Sequence, residues 1–514
     1  MKRKPKIVSA FQSLFNRRVF ILLLIFLQIG LTVMLLLRWS QMKWIADAFN
    51  LFSLVTALHL LLRNDKSAFK LSLIFLILLF PLVGGVFYWI FHSQTNSGGL
   101  RKRLFAIEKK TNAFFSYPET AYREAVVSIP SAEKMLHYMK HNTPFPIYGD
   151  TETSYFSGGQ DMLFRMLEDL RHAERYIFME YFIIADGEMW ESILEVLRER
   201  ASCGVDVRII YDDIGSMPTL PPAYAKQLRA MGIRCEKFNT FHPFLTSTQN
   251  NRDHRKITVI DGKIAYTGGI NLADEYIDRK IRFGKWKDSA IRLEGDGAWG
   301  FTVMFLQIWS LLVRREEDFE DYKPTLTHES SDSVGWVQPY SDSPMDGESV
   351  GEQLYLRIIE RAQKYLYITT PYLMVDDHMI AALKAAAKCG VDVRIITPEI
   401  PDKKTVHFTS RSYYGTLIDA GIRVYEYTGG FMHAKNVISD DLIATVGTTN
   451  FDFRSLYLHF ECGVCLYQTA SIEEIKRDYL ETLTHCKEIG KEDCRGNLFV
   501  WFFRSICRIL APLM

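Results

Sequence analysis

The octapeptide CGVDVRII occupies residues 203–210 and recurs unchanged at 389–396. Its surroundings agree as well. GIR follows each copy, at 232–234 and 421–423, and an aromatic run precedes each, RYIFMEYFII at 175–184 and KYLYITTPYLM at 364–374. Self-similarity at a long fixed offset marks a duplicated unit, which restricts the chain to two copies of one architecture. Taken alone, the octapeptide is an ordinary core strand, a β-branched run after a glycine. Its use is to register two halves so that their chemistry can be compared. Helical patterns at 161–175 and 189–201, and again at 350–364 and 378–388, bracket the two aromatic strands. Alternation of helix and strand predicts an α/β fold made of two duplicated domains packed as a pseudo-two-fold pair.

What precedes the duplication has a different character. Residues 19–37 carry no charge and would span about 28 Å as a helix, and residues 71–91 are likewise uncharged. Both are candidate transmembrane helices, and the apolar segment 44–62 between them, with Asp47, Asn50 and His59, is a third. Two spans would place 11 basic residues on the cytoplasmic side against 5 opposite, which favours a cytoplasmic body. The expected division is an anchor at 1–100, a first catalytic domain at 101–319, a linker at 320–335, a second domain at 336–488, and a C-terminal helix at 489–514 that is either amphipathic or buried. Lys and Arg number 61 against 60 Asp and Glu, so no excess basicity advertises a nucleic-acid partner. The eight scattered cysteines read as reduced thiols. The pair Cys462 and Cys465 lies in a strand-like run without a second such pair, so no metal site is expected there.

Aligned by the octapeptide, the halves read HRKITVIDGKIAYTGGIN (254–271) and HAKNVISDDLIATVGTTN (433–450). His254, Lys256, Asp261, Gly268 and Asn271 correspond to His433, Lys435, Asp440, Gly447 and Asn450 at a constant offset of 179. One His-x-Lys on a strand is ordinarily a surface or core feature; two in register with Asp, Gly and Asn are a site. Residues i and i+2 of a strand share a face, so each histidine projects with its lysine. Each aspartate, of opposite parity and at the turn, is expected to brace its loop or to pair with a buried base, and is grouped with the reacting residues by its motif. Face to face, the halves would assemble equipment for a phosphodiester. One imidazole attacks phosphorus, the other protonates the leaving alkoxide, and Lys and Asn hold the nonbridging oxygens with no metal or cofactor required. An imidazole in this role needs a carboxylate on its other nitrogen. Asp288 in the first half and Glu461 in the second are the candidates, each expected to serve its own half. The aromatic stretches YFII, PYLM and RSYY are read first as core packing, with Tyr181, Tyr372 and Tyr414 as the alternative lining of an acyl or headgroup channel.

The paired motif resembles the phospholipase D superfamily over about residues 143–488. With EYFII (180–184), YDDIGS (211–216), TTPYLMVDD (369–377), SRSYYGTLIDAG (410–421) and VGTTNFDFRSLYLHFE (446–461), it is most similar to the bacterial cardiolipin synthases. The resemblance implies transfer of a phosphatidyl group between two phosphatidylglycerol molecules at a lipid bilayer, giving cardiolipin and glycerol, with lipid hydrolysis as the rival outcome. It also implies that His254 is the nucleophile and His433 the acid and base, a choice the symmetry of the motifs leaves open.

Overall fold

The computed structural model describes residues 30, 39–80, 84–86, 88–89, 98–115, 119–240, 250–324 and 333–514. They fall into two compact units: 1–99 with 241–250 and 505–514, and 100–240 with 251–504.

The larger unit holds both halves of the duplication. In chain order the first half contributes β1 (Thr151–Phe156), β2 (Tyr176–Tyr181), β3 (Asp206–Asp212), β4 (Arg234–Phe238), β5 (Lys256–Ile260), β6 (Ile264–Gly268), β7 (Lys285–Lys287) and β8 (Ala290–Gly295). The second contributes β9 (Trp336–Asp342), β10 (Tyr365–Thr369), β11 (Leu373–Met374), β12 (Asp392–Pro398), β13 (Arg423–Tyr427), β14 (Gly430–Met432), β15 (Asn436–Ser439), β16 (Ile443–Gly447), β17 (Phe451–Asp452), β18 (Glu461–Tyr467) and β19 (Cys486–Glu488). The first sheet runs β1-β8-β6-β5-β2-β3-β4. The second repeats that order as β9-β18-β16-β15-β10-β12-β13 and adds β19 at its edge. In both, the strands flanked by helices are parallel and the motif hairpin is antiparallel.

The repeated octapeptide forms β3 and β12. In each copy its glycine ends the preceding helix in the left-handed region, Gly204 at φ 91° and Gly390 at φ 95°, where a side chain would be strained. The next amide closes the helix, Val205 onto Arg200 O and Val391 onto Ala386 O, both at 3.1 Å. Its polar letters are explained by pleat parity: Asp206 and Arg208 share a face and pair at 2.8 Å, as do Asp392 and Arg394 at 2.7 Å. The helix Gly297–Val313 is buried along residues 297–311 and packs on β2, β5, β6, β8 and β9, thus on both sheets. Each large apolar side chain sequestered there contributes roughly 1.5–3 kcal/mol.

Residues singled out in the sequence take definite places. Tyr181 and Tyr414 are core residues, their hydroxyls joined to Thr258 at 2.8 Å and Thr397 at 2.7 Å, so neither lines a channel. Tyr372 is half-buried and donates to Asp402 at 2.6 Å. The linker begins as structure: Phe319 is buried and the Tyr322 carbonyl accepts from Tyr176 at 2.7 Å, while residues 325–332 lie outside the described residues. Cys462 and Cys465, three apart on β18, project to opposite faces and are buried free thiols. The C-terminal helix Leu498–Leu510 is not buried; Leu498, Phe499 and Trp501 are 80%, 69% and 62% exposed.

In the smaller unit the apolar segment 44–62 is helical as far as Leu61, in a helix covering Trp39–Leu61, and a second helix covers Ser67–Leu79. The expected uninterrupted helix over 71–91 does not form. The chain leaves helical geometry at Phe80 (φ −131°, ψ 76°), the residue before Pro81, where the proline ring disfavours the helical conformation. Segment 19–37, apart from Gly30, lies outside the described residues. Among the described residues no helix is long and apolar enough to cross a membrane.

Candidate active site

The two motifs converge at the contact between the halves. His254 sits in the lead-in to β5, held by a backbone bond from its N–H to Phe460 O at 2.9 Å and by the return bond from Phe460 N–H to Arg252 O. His433 enters β15 in the corresponding way, its N–H on Lys287 O at 2.7 Å, where β14 pairs with β7 in parallel. Each histidine is thus clamped to the backbone of the opposite half.

That crossing decides the carboxylates. His254 Nδ1 lies 2.9 and 3.0 Å from the two oxygens of Glu461, and His433 Nδ1 lies 2.6 Å from Asp288 Oδ2. The expected pairing within each half is therefore wrong: each acid serves the histidine of the other half. The reason is register. Phe460 and Lys287, the backbone partners of the histidines, immediately precede Glu461 and Asp288 in the chain. A bond to residue n therefore aims the acid at n+1 into the opposite motif. Glu461 is fully buried and also accepts from Thr448 Oγ1.

Both lysines are 1% exposed and each donates to the carbonyl of its own histidine, Lys256 to His254 O at 2.7 Å and Lys435 to His433 O. Lys435 Nζ also lies 2.8 Å from His433 Nδ1. One nitrogen cannot give a proton to Asp288 and accept one from Lys435. The shorter carboxylate contact fixes the proton on Nδ1 and leaves Nε2 as the free lone pair. Burial, reinforced by Lys256, Lys435 and His433, holds His254 well below the usual imidazole range. Burial is also the main cause that pushes His433 down to about 4, Lys256 to about 8 and Lys435 to about 7. Both imidazoles are consequently neutral in the free enzyme at neutral pH, the state in which a ring nitrogen can attack phosphorus.

Asp261 and Asp440, grouped by the motif with the reacting residues, are occupied elsewhere. Each lies in the left-handed region at its hairpin turn (φ 53° and 58°). Asp261 accepts the N–H groups of Glu174, Arg175 and Tyr176, all at 2.8 Å; Asp440 accepts those of Gln363, Lys364 and Tyr365 at 2.8–3.0 Å. Asn271 is engaged at both ends, accepting from Ile183 N–H at 3.0 Å and donating to Tyr276 at 2.7 Å. Asn450 donates to Ser455 at 3.1 Å, and its buried Oδ1 has no hydrogen-bond partner among the described residues.

Other residues at the site carry no motif spacing. Tyr276, Trp286 and Phe431 surround His433 with ring centroids 5.4–5.6 Å away, and Phe182 stands edge-on to His254 at 5.0 Å. Behind His254, Arg252 forks onto Asp212, and Arg255 bonds to Glu180, all four buried. A third imidazole, His459, has its centroid 5.7 Å from that of His254.

A family model described as cardiolipin synthase, phospholipase D-like domain, matches residues 166–281 and again 355–483, one match per half. A cardiolipin synthase of Halalkalibacterium halodurans is 33% identical over 96% of this chain and 99% of its own length. The chain belongs to the cardiolipin synthase family. It is a phosphatidyltransferase of the phospholipase D superfamily, acting on phospholipid. An uncharacterized protein of Streptococcus mutans is 43% identical over 85% of this chain and 95% of its own. Among solved structures, a phosphatidylserine synthase of Haemophilus influenzae superposes with a TM-score of 0.57 at 15% identity, covering 75% of this chain and all of that one, which establishes the shared fold.

Proposed function

We propose that the enzyme transfers a phosphatidyl group from one phosphatidylglycerol to a second through a phosphohistidine on His254, with His433 as acid and base. The observation that carries this reading is the crossed pair of carboxylate–imidazole contacts, which fixes both Nδ1 protons and leaves both Nε2 atoms for chemistry. In the first step His254 Nε2 attacks phosphorus, the bond from phosphorus to the glycerol oxygen breaks, and protonated His433 gives that oxygen its proton. In the second, a hydroxyl of the acceptor headgroup gives its proton back to His433 and attacks phosphorus, and the phosphorus–nitrogen bond breaks. Cardiolipin and glycerol result. The bound phosphodiester anion favours a protonated His433, raising it from its depressed value in the free site. Lys256 and Lys435 supply positive charge for the nonbridging oxygens of the five-coordinate transition state.

Membrane attachment through the apolar N-terminal segments would hold this chemistry at a surface crowded with acceptor headgroups, with the catalytic unit facing the cytoplasm. Leu51, Leu54 and Leu58 on one helix and Leu71 and Leu78 on the next are 51–65% exposed, apolar surface suited to lipid. The test is purified full-length protein with vesicles of labelled phosphatidylglycerol alone, products separated by mass spectrometry. Cardiolipin and glycerol in equal amounts are expected. Phosphatidic acid as the dominant product would replace transfer by hydrolysis.

A further inference from the structure

His459 belongs to neither motif and has no place in the transfer just described. It lies in LHFE, two residues before Glu461, and both its ring nitrogens are buried without a hydrogen-bond partner among the described residues. Its Nδ1 stands 3.7 Å from Glu461 Oε1, too far for a hydrogen bond. That same oxygen is 3.0 Å from His254 Nδ1, while Thr448 occupies Oε2. One ring nitrogen of each histidine and one carboxylate oxygen thus come within 4.8 Å of one another.

Among the described residues the arrangement exists on one side only. Trp286 stands two residues before Asp288, as His459 stands two before Glu461, and it packs 5.4 Å from His433. An indole offers no lone pair to a cation. His459 therefore converts one of two equivalent positions from a packing residue into a donor.

Two imidazoles and a carboxylate are a donor set suited to zinc(II) and similar first-row dications. A tetrahedral ion held at about 2.0–2.2 Å by each donor spaces them roughly 3.3 Å apart. The two separations to Glu461 Oε1, 3.0 and 3.7 Å, lie on either side of that value, and the two ring nitrogens are within 4.8 Å of each other. We propose that His254, His459 and Glu461 form an inhibitory site for zinc(II) or a dication of like preference. The ion takes the place of the proton between His254 Nδ1 and Glu461, so metal occupancy and the orienting hydrogen bond exclude one another. Neighbouring Lys256 and Lys435 repel a dication, which makes the site weaker and more readily reversed than a closed structural zinc site. The inhibitory consequence rests on His254 being catalytic; metal binding does not.

Full-length protein is titrated with cobalt(II), read by its visible ligand-field absorption, and with zinc(II) in competition with a chromophoric chelator. Turnover on phosphatidylglycerol vesicles is followed in parallel. Wild type is expected to bind one cobalt ion with tetrahedral intensity and without the thiolate charge-transfer band that the free cysteines would produce. Zinc should displace the cobalt and stop turnover, and a chelator should restore it. His459→Asn should weaken both metal binding and inhibition at least tenfold, and His459→Gln, a second isolation of the same donor, should do likewise. Absence of tetrahedral cobalt in wild type, or equal zinc affinity in wild type and both variants, overturns the site. Zinc binding that depends on His459 but leaves turnover intact overturns the inhibitory role and the catalytic assignment of His254 with it, while the metal site stands.

Discussion

Glu461→Gln and Asp288→Asn should disable different steps, in the order the crossed contacts dictate. Glutamine keeps the shape of Glu461 but removes its charge. A hydrogen bond to a charged group is worth about 1.5–3 kcal/mol against about 0.5–1.5 for a neutral one, so the lost stabilisation of a positive His254 ring is about 1–2 kcal/mol, roughly 5–30-fold in rate. The second effect is larger. Thr448, which now donates to Glu461, can bond to either end of an amide, so the Gln NH2 can face His254 Nδ1 and force the proton onto Nε2. That tautomer cannot attack phosphorus. In the serine–histidine–aspartate triad the comparable neutral replacement costs about 10⁴-fold, and a loss of about 10³–10⁴-fold in kcat is expected here. The discriminating assay uses phosphatidyl-p-nitrophenol carrying labelled phosphorus, whose phenolate leaves without needing a proton. Asp288→Asn, with His433 disoriented but His254 intact, should form the labelled enzyme quickly and accumulate it because the acceptor is not deprotonated. Glu461→Gln should form almost none. The reverse pattern would make His433 the nucleophile and His254 the acid and base. Rates within tenfold of wild type for both variants would refute the role of the carboxylates.

His433 is held at about 4 against about 6.5 for a free imidazole, so between these values the unfolded chain binds the extra proton and stability falls as pH falls. The contribution is on the order of 3 kcal/mol, and unfolding midpoints at pH 7.5, 5.5 and 4.5 should decline in that order; a flat profile would contradict it. Asp261→Ala strands three backbone N–H groups and should cost about 2–4 kcal/mol, lowering the melting temperature while the fraction that folds keeps near-normal kcat. Normal stability with lost turnover would make Asp261 a reacting group instead. A protein beginning at Arg101 should release more phosphatidic acid per cardiolipin on the same vesicles than the full chain, because its acceptor supply falls; an unchanged product ratio would remove membrane attachment from the partition between water and lipid.

What was legible in the sequence was whatever the duplication repeats. The octapeptide, the offset of 179 and pleat parity together pointed to two α/β domains and to a meeting of both histidine–lysine pairs, and left each aspartate between bracing its loop and pairing with a buried base. Features outside the repeat were harder to read. The partners of the histidines were misassigned because chain position ties Glu461 and Asp288 to their own halves, and only the docking of one sheet's loops on the other shows the exchange. Tyr181 and Tyr414 carried both a core and a channel reading because aromatic composition does not reveal which hydroxyl finds a threonine in the core. The helix 297–313 is apolar all round and carries no 3.6-residue contrast, the pattern of a helix buried on every side. The break at Phe80 was present in the letters as Pro81, which a count of uncharged residues ignores.

The exchange of carboxylates also bears on why the two halves are one chain. Either half alone would present a histidine with its lysine and a braced turn, yet the acid that fixes the tautomer of that histidine would be missing. A half-domain would therefore lack a competent imidazole, and activity requires that the halves dock in one register. The backbone bonds from His254 to Phe460 and from His433 to Lys287 set that register, and the Gly297–Val313 helix beneath both sheets holds it. The same docking buries Glu461 and Asp288, at 0% and 2% exposure, together with two lysines at 1%. Carboxylates removed from water so completely are costly unless paired, and the pairing exists only across the interface. A misdocked pair of halves would thus lose its orienting contacts and strand its buried charges at once, so correct assembly and catalytic competence are selected by the same contacts.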